Sequence, residues 1–235
     1  MYAIFLVTVL ALAIINFGDA TYGVDVSQRT YSSSFSCMVS YGYSFAIPRV
    51  YESGGYPDPN GPGTIADAWA GGMSYVDGYI FPCYSCGDPA GQMDDTISYL
   101  AAHDVKVLKK GQLREEAGNS TDGKLGATVG MLWIDVEGTQ YWSSSTSSNV
   151  NFLTDMVNEG VKKGYNIGIY SSKSQWDPIM GGSTAFSSYP LWYPHYDYDP
   201  SFSDFTAFGG WTSPAIKQYQ GTTSFCSASV DKNYY

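Results

Sequence analysis

Asp135 and Glu137 stand two positions apart at the end of the apolar run Met131–Ile134, in "GMLWIDVEG". A strand places residues two apart on one face, so both carboxylates point together, with Cα atoms ~6.5–7 Å apart. Like charges held close raise one pKa. One protonated acid then sits beside one carboxylate, as glycosidic cleavage requires. An isolated Asp-x-Glu more simply caps the turn at Gly138. Two further acids favour chemistry: Asp25 ends the apolar run of "YGVDVS", and Asp231 lies in "SVDKN" near the other end of the chain. In a closed barrel the first and last strands are neighbours. All four carboxylates then converge on one mouth, at the strand ends where β/α barrels build their sites.

Positioning them requires strands in a parallel array. "YGVDVSQ", "SFAIPRVYE", "DGYIFPC" and "GMLWIDVEG" read as strands. Helical stretches separate them: "SFSCMVSYGY" ending at Gly42, "GTIADAWAGGM" broken at Gly71-Gly72, and "AGQMDDTISYLAAHDV" with Met93, Ile97, Leu100 and Ala101 at helical spacing. "SSNVNFLTDMVNEGVKKGY" is another helix, with Ser147 or Ser148 as cap and Gly164 as stop. "NIGIYSS", "LWYPHYD", "AIKQYQG" and "SASVDKN" follow as short strands. Alternating strands and helices predict parallel pairing through helical crossovers. We therefore expect one α/β domain over residues 21–235: an irregular, TIM-like β/α barrel of about five β/α units finished by plain strands. An open doubly wound sheet is the alternative. Residues 107–128 are polar, charged and without clear period, and read as an inserted loop.

The chain has 235 residues, 44% hydrophobic and 14% charged, which is a globular composition. Its net charge of −10 argues against nucleic acid as a partner, because phosphate binding needs a basic face. Residues 1–20 carry an apolar core from Tyr2 to Ile15 and small residues at Gly18 and Ala20. They read as a secretory signal cleaved after Ala20, leaving no membrane anchor. Secretion makes Cys37, Cys83, Cys86 and Cys226 expected disulfide partners. Of three pairings we favour Cys83–Cys86 as a local clip and Cys37–Cys226 as a tie between the ends of the domain. A zinc reading of Cys83 and Cys86 lacks a second ligand pair. Asn119 heads a glycosylation sequon.

Together these motifs resemble the glycoside hydrolase family 25 lysozymes, the Chalaropsis-type muramidases, especially their secreted invertebrate members. "GVDVS", "AIPRVYE", "GYIFP", "LWIDVEG", "IGIYSS", "LWYPHYD", "KQYQG" and "VDKN" follow the family's order over Tyr22–Tyr235. The resemblance implies an irregular eight-stranded barrel that cleaves the β-1,4 bond between N-acetylmuramic acid and N-acetylglucosamine of bacterial peptidoglycan. It implies neither metal nor organic cofactor. Position by position, Glu137 resembles the general acid/base, and Asp135 the carboxylate that orients the 2-acetamido group or stabilises positive charge. Asp25 and Asp231 resemble the supporting acids. Tyr79, Trp192, Tyr196 and Gln218 are candidates for substrate contact, although a core role for Trp192 is nearly as good a reading. His195 and His103 read as structural or solvated. Two departures stand out: Ile80 replaces the family's usual histidine, and Lys217 its common tryptophan. The resemblance favours a substrate-assisted route and a monomer. Repulsion between an acidic protein and an anionic wall predicts an acidic optimum. Two competing readings are a chitinase, which would carry a longer acidic series before the glutamate, and a glycan-binding protein without turnover.

Overall fold

The computed structural model describes residues 21–112 and 126–235. Residues 1–20, read as a secretory signal, and the sequon at Asn119 lie outside them. Five β/α units open the chain. β1 (Tyr22–Val26) leads to α1 (Ser32–Ser40), and β2 (Tyr43–Glu52), with the short β3 (Tyr56–Pro57), leads to α2 (Gly61–Ala70). β4 (Tyr75–Val76) and β5 (Gly78–Ile80) precede α3 (Pro89–Ala102). After β6 (Val105–Val107) and β7 (Ala127–Val129) come β8 (Leu132–Asp135) and α4 (Thr146–Lys162). β9 (Ile167–Tyr170) leads to α5 (Lys173–Met180), and β10 (Leu191–Pro194), β11 (Ile216–Phe225) and β12 (Ala228–Tyr234) end the chain.

Eight of these strands close a barrel in the order β1-β12-β11-β10-β9-β8-β5-β2, with β2 returning to β1. Every barrel pair is parallel except β1–β12 and β11–β12. The expected irregular β/α barrel is therefore the observed fold. The fifth helix, α5, is unforeseen in the sequence. It is one of the shortest helices and holds Pro178, which breaks helical patterning.

Strand periodicity divides the side chains into two cores. Ile80, Leu132, Ile134, Ile167 and Ile169 face outward and pack beneath the helices. Phe45, Ile47, Trp133, Tyr170, Trp192 and Ile216 fill the barrel itself. α3 buries Gln92, Met93, Thr96 and Leu100, while Ala101, expected on that stripe, is exposed. Gln92 is buried because its amide bonds Cys83 N–H at 2.9 Å, Cys83 C=O at 2.8 Å and Gly87 C=O at 2.7 Å, holding the cysteine clip. The cap of α4 is Ser145, whose hydroxyl accepts from Ser148 N–H at 3.4 Å. The proposed caps Ser147 and Ser148 lie inside the helix, whose first turn begins earlier than the apolar pattern.

Both ends of the stretch at residues 107–128 lie in strands. Val107 ends β6 and Ala127 opens β7, and these strands pair in parallel. Val105, Val107 and Val129 are buried there, a pattern too brief for periodicity to register.

Two disulfides form, Cys37–Cys226 and Cys83–Cys86. The first joins α1 to the tip of the β11–β12 hairpin, where Cys226 (φ 52°) and Ser227 (φ 61°) take left-handed turn conformations. It closes a separation of 189 residues, against three for the second. Replacing Cys37 and Cys226 by serine is expected to cost about 2–5 kcal/mol and to lower the melting temperature by roughly 5–15 °C. Replacing Cys83 and Cys86 should cost less. Differential scanning calorimetry of both variants checks the ranking.

Candidate active site

Alternation along the strands brings the four acids together. Asp25 on β1 lies directly opposite Asp231 on β12 in the antiparallel pair. Asp135 ends β8, and Glu137 follows two residues beyond it. Asp231 is not at a strand end, as its sequence context suggested. The β11–β12 hairpin runs past the rim of the barrel, which places the middle of β12 level with the mouth. One small cleft of about 80 Å³ is lined by Asp25, Asp135, Glu137 and Asp231, together with Tyr79, Tyr170, Trp192, Tyr196 and Gln218. All eight residues expected at the site thus share one cleft. A larger hollow of about 490 Å³, beside Asp77 and Trp133, opens at the opposite end of the barrel and contains none of the four acids. Converging titratable groups are a better guide to chemistry than volume.

Gln218 organises the cleft. Its Nε2 donates to Asp25 Oδ2 at 2.8 Å and to Asp231 Oδ2 at 3.2 Å. The hydroxyls of Tyr170 and Tyr196 both donate to its Oε1, each at 2.8 Å. The network therefore fixes which end of the amide faces the acids. Asn233 Nδ2 also donates to Asp25 Oδ2 at 2.7 Å, and Trp192 Nε1 donates to Asn233 Oδ1 at 2.8 Å. Thr222 N–H donates to Asp231 Oδ1. Tyr196 lies so close to the hairpin that a Cβ at Gly221 would meet its ring at 2.6 Å.

The candidates for substrate contact differ in availability. Tyr196 is 53% exposed and Trp192 only 2%. The Trp192 ring makes edge contacts with Tyr79, Trp133 and Tyr170, so it forms a wall of the cleft and no open stacking platform. Tyr170 and Asn233 escaped the sequence reading. Asn233 sits two residues after Asp231 and Tyr170 ends an apolar strand, so period-two spacing carried a signal for both.

The two family departures leave the cleft untouched. Ile80 faces the outer core. Lys217 precedes Gln218 on β11, so its side chain points away from the cleft. Its Nζ donates to Asp197 and to Asp204, each at 2.7 Å, and the residue is fully buried. His195 Nδ1 lies 2.5 Å from Asp204 Oδ2, and Tyr193 donates to Asp204 Oδ1 at 3.0 Å. Among the described residues, His195, Asp197 and Asp204 are near enough together to bind a metal ion. The Lys217 ammonium already serves both carboxylates there. His103 Nδ1 lies 2.8 Å from Tyr99 C=O at the end of α3.

Burial and mutual repulsion push the four cleft acids upward. Asp25 rises to about 8, first through burial and then through Asp231, against the opposing bonds from Asn233 and Gln218. Asp135 is raised well above the usual carboxyl range by burial, then by Glu137 and Asp25. Glu137 is raised by burial and Asp231, while its hydrogen bond with Asp135 works the other way. Asp231 is raised by burial, against the Thr222 bond. The Asp135–Glu137 pair therefore holds a proton as a unit. Asp135 Oδ1 is buried without a hydrogen-bond partner.

Comparison with known proteins agrees with this geometry. A family model described as lysozyme-like protein 1 matches residues 16–110 and 112–219. The chain is 44% identical over 217 residues to probable GH family 25 lysozyme 2 of Dictyostelium discoideum, covering 92% of each. It is 39% identical over 232 residues to probable GH family 25 lysozyme 4 of the same organism, covering 99% of this chain and 98% of that one. The structure of a family GH25 lysozyme from Aspergillus fumigatus superposes with a TM-score of 0.70 at 19% identity, covering 92% and 93% of the two chains.

Acids that hold protons more tightly when folded stabilise the fold fully below their unfolded values, near pH 4. That contribution is lost as pH rises through the folded values. The melting temperature should therefore fall between pH 5 and pH 8.5. Asp25→Asn, which removes the acid raised to about 8, should flatten that fall. Thermal denaturation of both proteins at the two pH values tests this.

Proposed function

The chain belongs to the glycoside hydrolase family 25 lysozymes, and from that premise we propose that it is a secreted N-acetylmuramidase. It hydrolyses the β-1,4 bond between N-acetylmuramic acid and N-acetylglucosamine in bacterial peptidoglycan. The convergence of Asp25, Asp135, Glu137 and Asp231 on one cleft carries this reading. The two disulfides accord with an oxidising compartment, and hence with a cleaved leader at residues 1–20. The protein acts as a monomer.

In this mechanism the sugar's 2-acetamido N–H donates to Asp135, whose Oδ1 is buried and otherwise unpaired. Accepting that bond favours ionised Asp135 and moves the pair's shared proton to Glu137. Glu137, only half-buried, then protonates the glycosidic oxygen as the bond to C1 breaks. The acetamido oxygen attacks C1, so no enzyme nucleophile is needed. Glu137 next takes a proton from the water that opens the cyclic intermediate. Asp231, bridged by Gln218 to an Asp25 that keeps its proton, faces the positive charge developing at C1. Tyr79 and Tyr196 contact the sugar, with Trp192 behind them as a wall.

The test is release of reducing ends from purified peptidoglycan at about pH 5. Glu137→Gln keeps the shape and removes the proton donor, so turnover should fall about 10²–10⁴-fold. Parent activity should decline toward pH 8 as Glu137 loses its proton and repulsion from the anionic wall grows. A folded, disulfide-bonded parent without turnover would overturn the enzymatic reading in favour of glycan binding.

A further inference from the structure

We propose that Lys217 is a positioning residue for the cleft, pinning the segment that seats Tyr196 against Gln218. The inference rests on the function just proposed and deepens it.

Gln218 can bridge Asp25 and Asp231 only while its amide oxygen faces away from them. Two hydroxyls hold it so. Tyr170 belongs to β9 and is buried in the barrel. Tyr196 belongs to the irregular segment after β10 and is half-exposed. That segment is tied to β11 by two backbone bonds, His195 N–H to Gln218 C=O at 2.9 Å and Tyr198 N–H to Tyr219 C=O at 3.0 Å. The strong anchor is ionic. Lys217 reaches Asp197, next to Tyr196, and Asp204, midway along the segment. It thereby clamps the first half of the stretch, which carries Tyr196, to the strand that carries Gln218. Neighbouring positions on one strand thus hold the two faces of one device, with Gln218 on the acids and Lys217 on the segment behind Tyr196.

The clamp is built for acid. Asp204 is half-buried, and that desolvation alone would raise it, yet its bonds from Lys217, His195 and Tyr193 bring it down to about 2. Asp197 is lowered too: burial pushes it up, and the Lys217 bond, the Asp199 N–H bond and the Lys217 charge together outweigh that. Lys217 is raised by its two carboxylates against the pull of burial. Both ion pairs therefore stay charged at the pH where the cleft acids are protonated. Breaking a buried pair leaves an uncompensated charge, so the segment cannot detach cheaply.

The experiment is a double-mutant cycle on peptidoglycan turnover at pH 5 with Lys217→Met and Tyr196→Phe. If Lys217 works through Tyr196, Lys217→Met should lower kcat about 10–100-fold, with KM changing much less. The double variant should then fall within about twofold of the worse single one. Independent effects that multiply would overturn the inference, as would full activity in Lys217→Met. Asp204→Asn breaks the clamp from its solvent-facing side and takes the place of Lys217→Met in the cycle if that variant does not fold. A parent without turnover would overturn the function and this inference together. A turning-over parent with multiplicative effects would overturn the inference alone.

Discussion

Two like charges face each other across an antiparallel strand pair, and the upper barrel is arranged around that conflict. Asp25 and Asp231 are register partners. Carboxylates directly opposite one another destabilise a sheet unless something is shared between them. Gln218 has two N–H donors and spends one on each acid. Its oxygen accepts from Tyr170 and Tyr196, so no bonding capacity is left over. Asn233 relieves Asp25 a second time and is itself oriented by Trp192. A polar network this deep is tolerable because its members are satisfied. Asp135 Oδ1, buried without a hydrogen-bond partner, is the exception.

This arrangement explains why the cleft walls are aromatic. Tyrosine and tryptophan each bring one hydrogen-bonding atom on a large apolar body. They can orient an amide while keeping the acids dry, and dryness is what keeps the acids protonated. Smaller polar residues would admit water and let the carboxyls ionise.

The acids were legible in the sequence because strand geometry has a period of two. Asp135 and Glu137 had to share a face, and closure of the barrel had to bring Asp25 beside Asp231. Partners that depend on tertiary register were harder to see. Gln218 read as a substrate contact, and its side-chain bonds to Asp25, Asp231, Tyr170 and Tyr196 could be seen only in the folded cleft. Lys217 read as a missing aromatic, and its ion pairs depend on Asp197 and Asp204 folding back from a segment without regular structure. α5 was hidden by its proline, and β6 and β7 by their three-residue length. The cap of α4 slipped because several serines in a row offer near-equivalent hydroxyls, and only the backbone chooses among them.

The turn at Cys226 and Ser227 also bears on the order in which the molecule is assembled. The strand bearing Asp25 is synthesised well before its partner and the hairpin tip. Asn233 bonds Asp25 across 208 positions, and the Cys37–Cys226 link spans 189. Contacts that distant pay their loop-closure entropy before they return any stabilisation, so they form late. The inner β/α units can condense on local contacts while the barrel still lacks its seam. The cleft is completed only as the last strand zips against the first. Clipping the closing hairpin would therefore remove the site and the seam together.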